Sequence, residues 1–505
     1  MTTPLALGLA CLALATSAGA APAAKPKKPA PTKPAAPAPT PPPATEAKPP
    51  PAAAPEAPAA RIFPFAVEEH TLPNGLKVLF VTFDSPGLTA YFSLVRTGSR
   101  NEVEPGLSGF AHFFEHMMFR GTKKHPEQEY DALLSAAGIA KNAFTTDDFT
   151  AYHDFGPSKA LPLVIELESD RFQNLDYSED AFKTEAKAVL GEYNKNFADP
   201  GEKMSEVLLD TAFTTHPYKH TVMGFKPDIE AMPTRYAYSR QFFERWYRPD
   251  NVTLILVGDF DHAATLALIE QAYGGWQGKA STLLIPVEPK QTAARAVNLR
   301  WHNPTQPRLV EVWHTPEARA DTKFAALQNV LAPYLFGPTS PTYRDLVLER
   351  QLVLGLGPSY YDHRDPNLFG VGAELKSDQD FAEVRKTMAQ AIADLRAGKV
   401  DAARLEAVKS NQKYGLLNSF DNPESVAEQL VFAIGPTGAP DALDALFRHM
   451  ERLTAQDLVD FAKAYLVPEN STFVSLVGPG QSPPAGVPDY QPPAAAAAEK
   501  KGGAQ

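Results

Sequence analysis

Two stretches of this chain, about 220 residues apart, read as one unit written twice, and that repeat constrains the fold more than any other feature. Phe243 to Gly258 and Phe461 to Gly478 each carry the end of an amphipathic helix, a turn containing proline (Arg248-Pro249-Asp250-Asn251; Val467-Pro468-Glu469-Asn470) and an apolar strand that stops at glycine. Self-similarity over such a distance marks two copies of a whole domain rather than a short solenoid repeat. The expected fold is therefore α/β of the α+β sandwich type, with two homologous domains of about 210 residues each, a mixed sheet in each packed by helices. The boundary falls near 280–298, around Pro286-Val287-Glu288-Pro289, which places the domains at 61–285 and 298–485.

The flanks have a different composition. Residues 1–20 hold an apolar run, Leu5 to Ala15, and close on Ser17-Ala18-Gly19-Ala20, the pattern of a secretory signal peptide, too short to span a bilayer. Cys11, the single cysteine, lies inside it, so the mature chain has no disulfide framework; lipidation at Cys11 is the weaker alternative. Residues 21–60 are almost entirely Ala, Pro, Lys and Thr and are expected to be a disordered or extended linker, because they hold too little apolar surface to offset ordering entropy. Residues 486–505, with their poly-Ala run, are expected to be a second loose tail. This arrangement places the protein in the periplasm or cell envelope. A formal net charge of -11 and the absence of a basic stripe exclude nucleic acid, and no later apolar run is long enough to cross a membrane.

Chemistry concentrates in Gly109 to Met118, where His112, Glu115 and His116 interrupt an apolar run. At about 100° per residue a helix puts all three on one face, and two histidines one turn apart can share a Zn²⁺ through their ring nitrogens with Glu115 beside it as a general base. The order His-x-x-Glu-His is the inverted form of the commoner zinc-protease motif. The same residues also fit a helix whose histidines are only packed and hydrogen-bonded.

Beyond the pentapeptide, Val95 to Glu102 together with Gly109 to Thr122 resembles the inverzincin metallopeptidases of the pitrilysin and mitochondrial-processing-peptidase superfamily, peptidase family M16. The resemblance extends to Thr184 to Tyr193, about 75 residues on, and implies that Glu192 is the third zinc ligand and Glu185 the supporting acidic residue. Seven residues on a helix put both on one face. It further implies that Asn142 and Ala143 lie on a strand at which an extended substrate adds itself to the sheet edge. His216 and His220 are read as structural, since three protein groups complete the ligand set. In the second copy the helix matching the zinc helix, near Thr322 to Leu335, contains neither His nor Glu, so one Zn²⁺ per chain is expected.

One departure from the family matters for partners. Members that act alone carry an Arg and, seven residues later, a Tyr that hold substrate and stabilise the oxyanion; the matching positions here are Val347 and Leu354, unless Arg344, Arg350 or Tyr360 substitutes. The resemblance thus implies a zinc endopeptidase acting on peptides or unfolded segments, with Glu115 activating water. It would form half of a clam-shell chamber and depend on a homologous subunit that carries the Arg/Tyr pair, with a homodimer as the other arrangement. A presequence-type processing peptidase and a non-catalytic peptide-binding or scaffold subunit are the alternative readings.

Overall fold

Continuous apolar runs such as Val78-Leu79-Phe80-Val81 and Leu254-Ile255-Leu256-Val257 belong to strands covered on both faces, because a strand with one wet face alternates instead. The computed structural model, which describes residues 63–278 and 283–492, shows how both faces are covered. The signal-peptide and linker readings, Cys11 included, lie outside the described residues.

The first sheet has six strands, β1 (Val67–Thr71), β2 (Lys77–Thr82), β3 (Leu88–Val95), β4 (Ala140–Thr145), β5 (Thr150–Pro157) and β6 (Val252–Gly258), in the order β1-β2-β6-β3-β5-β4. β1 and β2 form a hairpin around Asn74-Gly75, with Thr71 opposite Lys77. The second sheet has five, β7 (Arg295–Arg300), β8 (Arg308–Thr315), β9 (Val353–Tyr360), β10 (Asn367–Leu375) and β11 (Ser471–Val477), in the order β7-β11-β8-β10-β9. Without β1 the sheets are the same: β2 runs parallel to β6 as β7 does to β11, and every other pair is antiparallel. The two repeated stretches supply β6 and β11, each second from the end of the shared five-strand pattern.

On one face of the first sheet lie α1 (Phe110–Met117), α3 (Leu161–Asn174), α4 (Glu179–Asn196) and the helices Tyr236–Trp246 and His262–Tyr273, which close a core containing Phe80, Tyr91, Tyr152, Leu254 and Leu256. A short helix, α2 (Glu127–Ala137), adds Tyr130 and Leu134 to that core. The opposite face is covered from the other half of the chain. Helix Pro423–Thr437 lays Val426, Leu430, Val431 and Ile434 against Leu79, Phe92, Leu94 and Ile255. In return α5 (Pro200–Ala212) lays Met204, Val207 and Leu208 against Val310, Val312, Val474 and Leu476 of the second sheet. The two helices are equivalent in the repeat, so each copy lends the other the same element. Fully burying a Leu, Val or Ile side chain contributes about 1.5–3 kcal/mol, so the exchange is a main source of cohesion between the halves.

The stretch Asn142 to Tyr152 forms the β4–β5 hairpin, with Asn142 and Ala143 on β4 and the turn at Thr146-Asp147-Asp148-Phe149, where Thr146 N donates to Phe149 O (2.8 Å). The described part of the expected loose tail, up to 492, is instead held on the outer edge of β7. Pro488 O accepts from Asn298 N and Tyr490 N donates to Asn298 O (both 2.8 Å), while Tyr490 OH donates to Asp210 (2.7 Å). An open strand edge presents unpaired backbone groups, and this segment pairs those of Asn298; composition carries no trace of that role.

Candidate metal centre

α1 begins at Gly109, whose φ of 89° suits glycine, and where an added Cβ would sit 2.2 Å from Ile229 Cδ1. The first amides of the helix are met by a buried carboxylate: Gly109 N donates to Glu102 Oε2 (2.6 Å) and Ala111 N to Glu102 Oε1 (2.7 Å). Burial pushes the Glu102 carboxyl up to about 8, against the pull of those two amides. Phe110, Phe113, Phe114 and Met117 anchor the helix in the first core, and Tyr152 OH donates to Phe114 O (3.0 Å) from the sheet beneath. This anchoring turns His112, Glu115 and His116 to a common side.

α4 starts at Ser178, whose Oγ accepts from Ala181 N (3.1 Å), and runs alongside α1. Two of its carboxylates, Glu185 and Glu192, stand two turns apart and reach different nitrogens of the same histidine. Glu185 Oε1 lies 2.8 Å from His116 Nδ1, and Glu192 Oε2 lies 3.4 Å from His116 Nε2 and 3.6 Å from His112 Nε2. One donor atom from each of His112, His116 and Glu192 falls within 4.8 Å of the others, the one such group of three or more among the described residues. A tetrahedral zinc with bonds of about 2.0–2.1 Å sets its donors about 3.3–3.4 Å apart; the two histidine–Glu192 distances come close to that, the group as a whole is looser, and the N, N, O chemistry suits the ion.

Electrostatics agree with the geometry. Burial pulls His112 below its ordinary value. Burial pulls on His116 too, but the Glu185 and Glu192 carboxylates overcome it and raise the imidazole to about 10, while His116 in turn holds Glu192 down at about 2. A divalent cation entering this cluster competes with a proton on His116 Nε2, so binding releases protons. Glu185 is buried, which alone would raise it, yet His116 and Arg120 keep it below the usual range; Arg120 pairs with Glu185 and also with Glu127 on α2 (2.9 Å).

Glu115 sits apart from the three donors and accepts a hydrogen bond from Thr145 Oγ1 (2.7 Å). Thr145 ends β4, and Ala143 on the same face is buried towards α1. Asn142 is exposed and alternates to the opposite face, so of the two strand residues only Ala143 is turned to the α1 side. No strand pairs with the outer edge of β4 among the described residues. His216 and His220 stay outside the cluster: His216 Nδ1 accepts from Tyr218 N (3.0 Å) with Nε2 facing Asp365 (2.9 Å), and His220 Nδ1 faces Thr221 O (2.9 Å).

In the second half, helix Phe324–Phe336 stands where the metal helix would be. Val347 lies in the wide-turned segment Arg344–Glu349, packed against the second core, and Leu354 on β9 is exposed. Arg344 is paired with Glu349, Arg350 with Asp345 and Thr387, and Tyr360 OH donates to Asn329 (3.3 Å). Three contributors had no role at the level of sequence, namely Glu102, Arg120 and Thr145. Glu102 and Arg120 lie inside the stretches that carry the family resemblance, and Thr145 two residues beyond Ala143 on the strand the resemblance implies, which is the signal that marked their neighbourhood.

Residues 84–226 match the family described as Insulinase (Peptidase family M16), and residues 236–412 match Peptidase M16 inactive domain. The chain belongs to peptidase family M16. It is 26% identical over 423 residues to zinc protease PqqE of Helicobacter pylori, covering 81% of this chain and 92% of that one. It is 27% identical over 322 residues to the uncharacterized zinc protease SCO5738 of Streptomyces coelicolor, covering 62% and 68%. Among solved structures, a protease from Helicobacter pylori superposes with a TM-score of 0.76 at 25% identity, covering 82% of this chain and 100% of that one. The periplasmic protease PqqL of Escherichia coli shares the fold at 20% identity; this M16 chain spans 47% of PqqL (TM-score 0.67) and 92% of its first half (TM-score 0.66). The two-domain α/β architecture expected from the repeat is the architecture of these M16 structures.

Proposed function

We propose that this M16 chain is a zinc-dependent endopeptidase of peptides or unfolded segments, exported to the periplasm or cell envelope, and dependent on a homologous subunit for full activity. The observation that carries the reading is the convergence of His112, His116 and Glu192 on one point, with Glu115 held beside them and bonded to none of them. His112, His116 and Glu192 would hold the zinc, with Glu185 fixing the proton of His116 on Nδ1 so that Nε2 presents its lone pair. Bound there, zinc would polarise the scissile carbonyl and make water acidic enough to attack near neutral pH. Glu115 takes the proton from the attacking water on Oε1, Oε2 being engaged by Thr145, and passes it to the leaving amine. An extended substrate would add to the outer edge of β4, its main chain pairing with the strand at Asn142 and Ala143.

The need for a partner is carried by Val347 and Leu354, whose side chains have no donor for an oxyanion, and by the engagement of Arg344, Arg350 and Tyr360 with residues of their own chain. That this chain spans one half of PqqL suits a second half supplied in trans. The test is hydrolysis of an internally quenched peptide library by the zinc-loaded mature chain, alone and with a homologous subunit bearing the Arg/Tyr pair, against a chelator control. Turnover confined to the pair is the expected result. Chelator-sensitive turnover by the chain alone would remove the partner from the mechanism, and zinc-loaded pairs inert on every peptide would favour a scaffold role.

A further inference from the structure

The β4–β5 turn and the β9–β10 turn occupy the same place in the two repeats, and in the folded chain they interlock. Asp147 Oδ2 faces His363 Nε2 (2.9 Å), and Asp148 Oδ2 accepts from Arg364 N (2.9 Å) while its Oδ1 accepts from Tyr218 OH (2.5 Å). Arg364 Nη1 donates to Arg96 O (2.8 Å), and Asp365 closes the ring by accepting from Arg100 Nε (2.5 Å). The first half grips the turn as well: Arg100 N donates to Asp147 O (2.8 Å), and a Cβ on Gly98 would lie 2.3 Å from Thr146 O, so backbone rests directly on backbone. Asp148 and Phe149 are buried, Phe149 in the same core as the exchanged helix Pro423–Thr437.

The residue before this turn is Thr145. Its hydroxyl has a single proton, which goes to Glu115 Oε2 because a carboxylate can only accept. Thr150 lies directly across the ladder and donates to Thr97 O (3.0 Å), which ties the strand pair to the chain leading into α1. Glu115 sits on a surface of α1 where no other described side chain bonds its carboxylate, so Thr145 decides which rotamer it keeps.

We propose that the second repeat, which carries no metal ligand, holds the general base in position: the interlocked turns fix Thr145, and Thr145 fixes the Glu115 carboxylate with Oε1 turned to the substrate. Thr145 and His363 are then positioning residues. The inference rests on Glu115 being the base, and gives the second domain a part in catalysis beyond lining a chamber.

The experiment uses the zinc-loaded chain in whichever form turns over peptide, alone or with its partner. Thr145→Val removes the donor at nearly constant volume and is expected to lower kcat roughly ten- to hundredfold, the scale for losing a hydrogen bond to a charged group, with KM and zinc content unchanged. Thr145→Ser restores most of the loss. His363→Ala also lowers kcat, and combined with Thr145→Val it costs little more than Thr145→Val alone, since both act along one route. If His363→Ala does not fold, Asp147→Asn weakens the same pair and is read identically. A wild-type kcat in Thr145→Val, a Ser variant as impaired as the Val variant, or fully multiplicative effects would overturn the proposal. If no form of the wild type cleaves peptide, the peptidase reading fails separately. Crystal structures of zinc-loaded wild type and Thr145→Val then decide: Glu115 in the same single conformation in both rejects the positioning role, and Glu115 released in the variant supports it.

Discussion

Glu115 and Glu185 both stand outside the His112, His116 and Glu192 group, and their hydrogen bonds give them different partners. Glu115 is bonded to Thr145 and not to a ligand, so Glu115→Gln is expected to keep stoichiometric zinc and lose cleavage by roughly 10²–10⁴-fold, measured by metal analysis and peptide hydrolysis on the same sample. Glu185 acts through His116 and is itself held by Arg120. Arg120→Met is therefore expected to weaken zinc binding roughly 10–100-fold in a chelator competition, the usual cost of losing an outer-shell partner, with Lys recovering part of it. An unchanged zinc affinity would make Arg120 a surface ion pair with Glu127 and no more. A helical period is local, so counting places His112 with His116 on one face; Glu185 and Glu192 were singled out by the family resemblance, and counting adds only that they share a face. Arg120 and Thr145 were not legible, since their partners stand 65 and 30 residues away and no local period links them.

Elements exchanged between repeats make a prediction that position in the chain would not suggest. Leu430 lies in the second half but is fully buried against the first sheet. Leu430→Ala is expected to cost about 2–5 kcal/mol in a denaturant melt, and to lower amide-exchange protection in β3 and β6. Loss of protection confined to the second sheet would contradict the exchange. The strands themselves were readable: β2, β3, β6 and β11 are apolar runs bounded by turn residues. Their partners were not, because a run buried on both faces looks alike whether its cover comes from its own domain or the other. The β4–β5 turn is set by one side chain: the Thr146 hydroxyl donates to Phe149 O and accepts from Asp148 N, a local bond that the apolar pattern on either side does not mark.

At the scale of the whole molecule, the junction between the repeats is ionic as well as apolar, and should respond to pH. Burial pulls His363 down, but Asp147 and Asp148 outweigh it and raise the imidazole to about 9, against an ordinary value near 6.5. A histidine whose folded value is raised contributes stability that is fully present below about 6.5 and lost as pH climbs through about 9. Urea unfolding between pH 6 and 9.5 should therefore show declining stability in the wild type and a flatter profile in His363→Gln. Parallel profiles would place the pH dependence elsewhere. On the acid side Asp365, held below the usual carboxylate range by His216 and Arg100 in spite of burial, works in the opposite sense: its contribution is present above the unfolded value near 3.8 and fades as the carboxylate is protonated.

Sequence alone determined that this chain has two copies of one α/β domain, that one copy carries a His-x-x-Glu-His helix and a helix with paired glutamates, and that the other carries neither. These are properties of period and spacing, which a linear text preserves. Tertiary structure alone decided which helix covers which sheet, that the segment around Tyr490 closes a strand edge, and that Glu102, Arg120 and Thr145 brace the site. Those depend on which distant groups burial brings within hydrogen-bond reach, and a buried carboxylate, guanidinium or hydroxyl is obliged to find a partner wherever the fold supplies one.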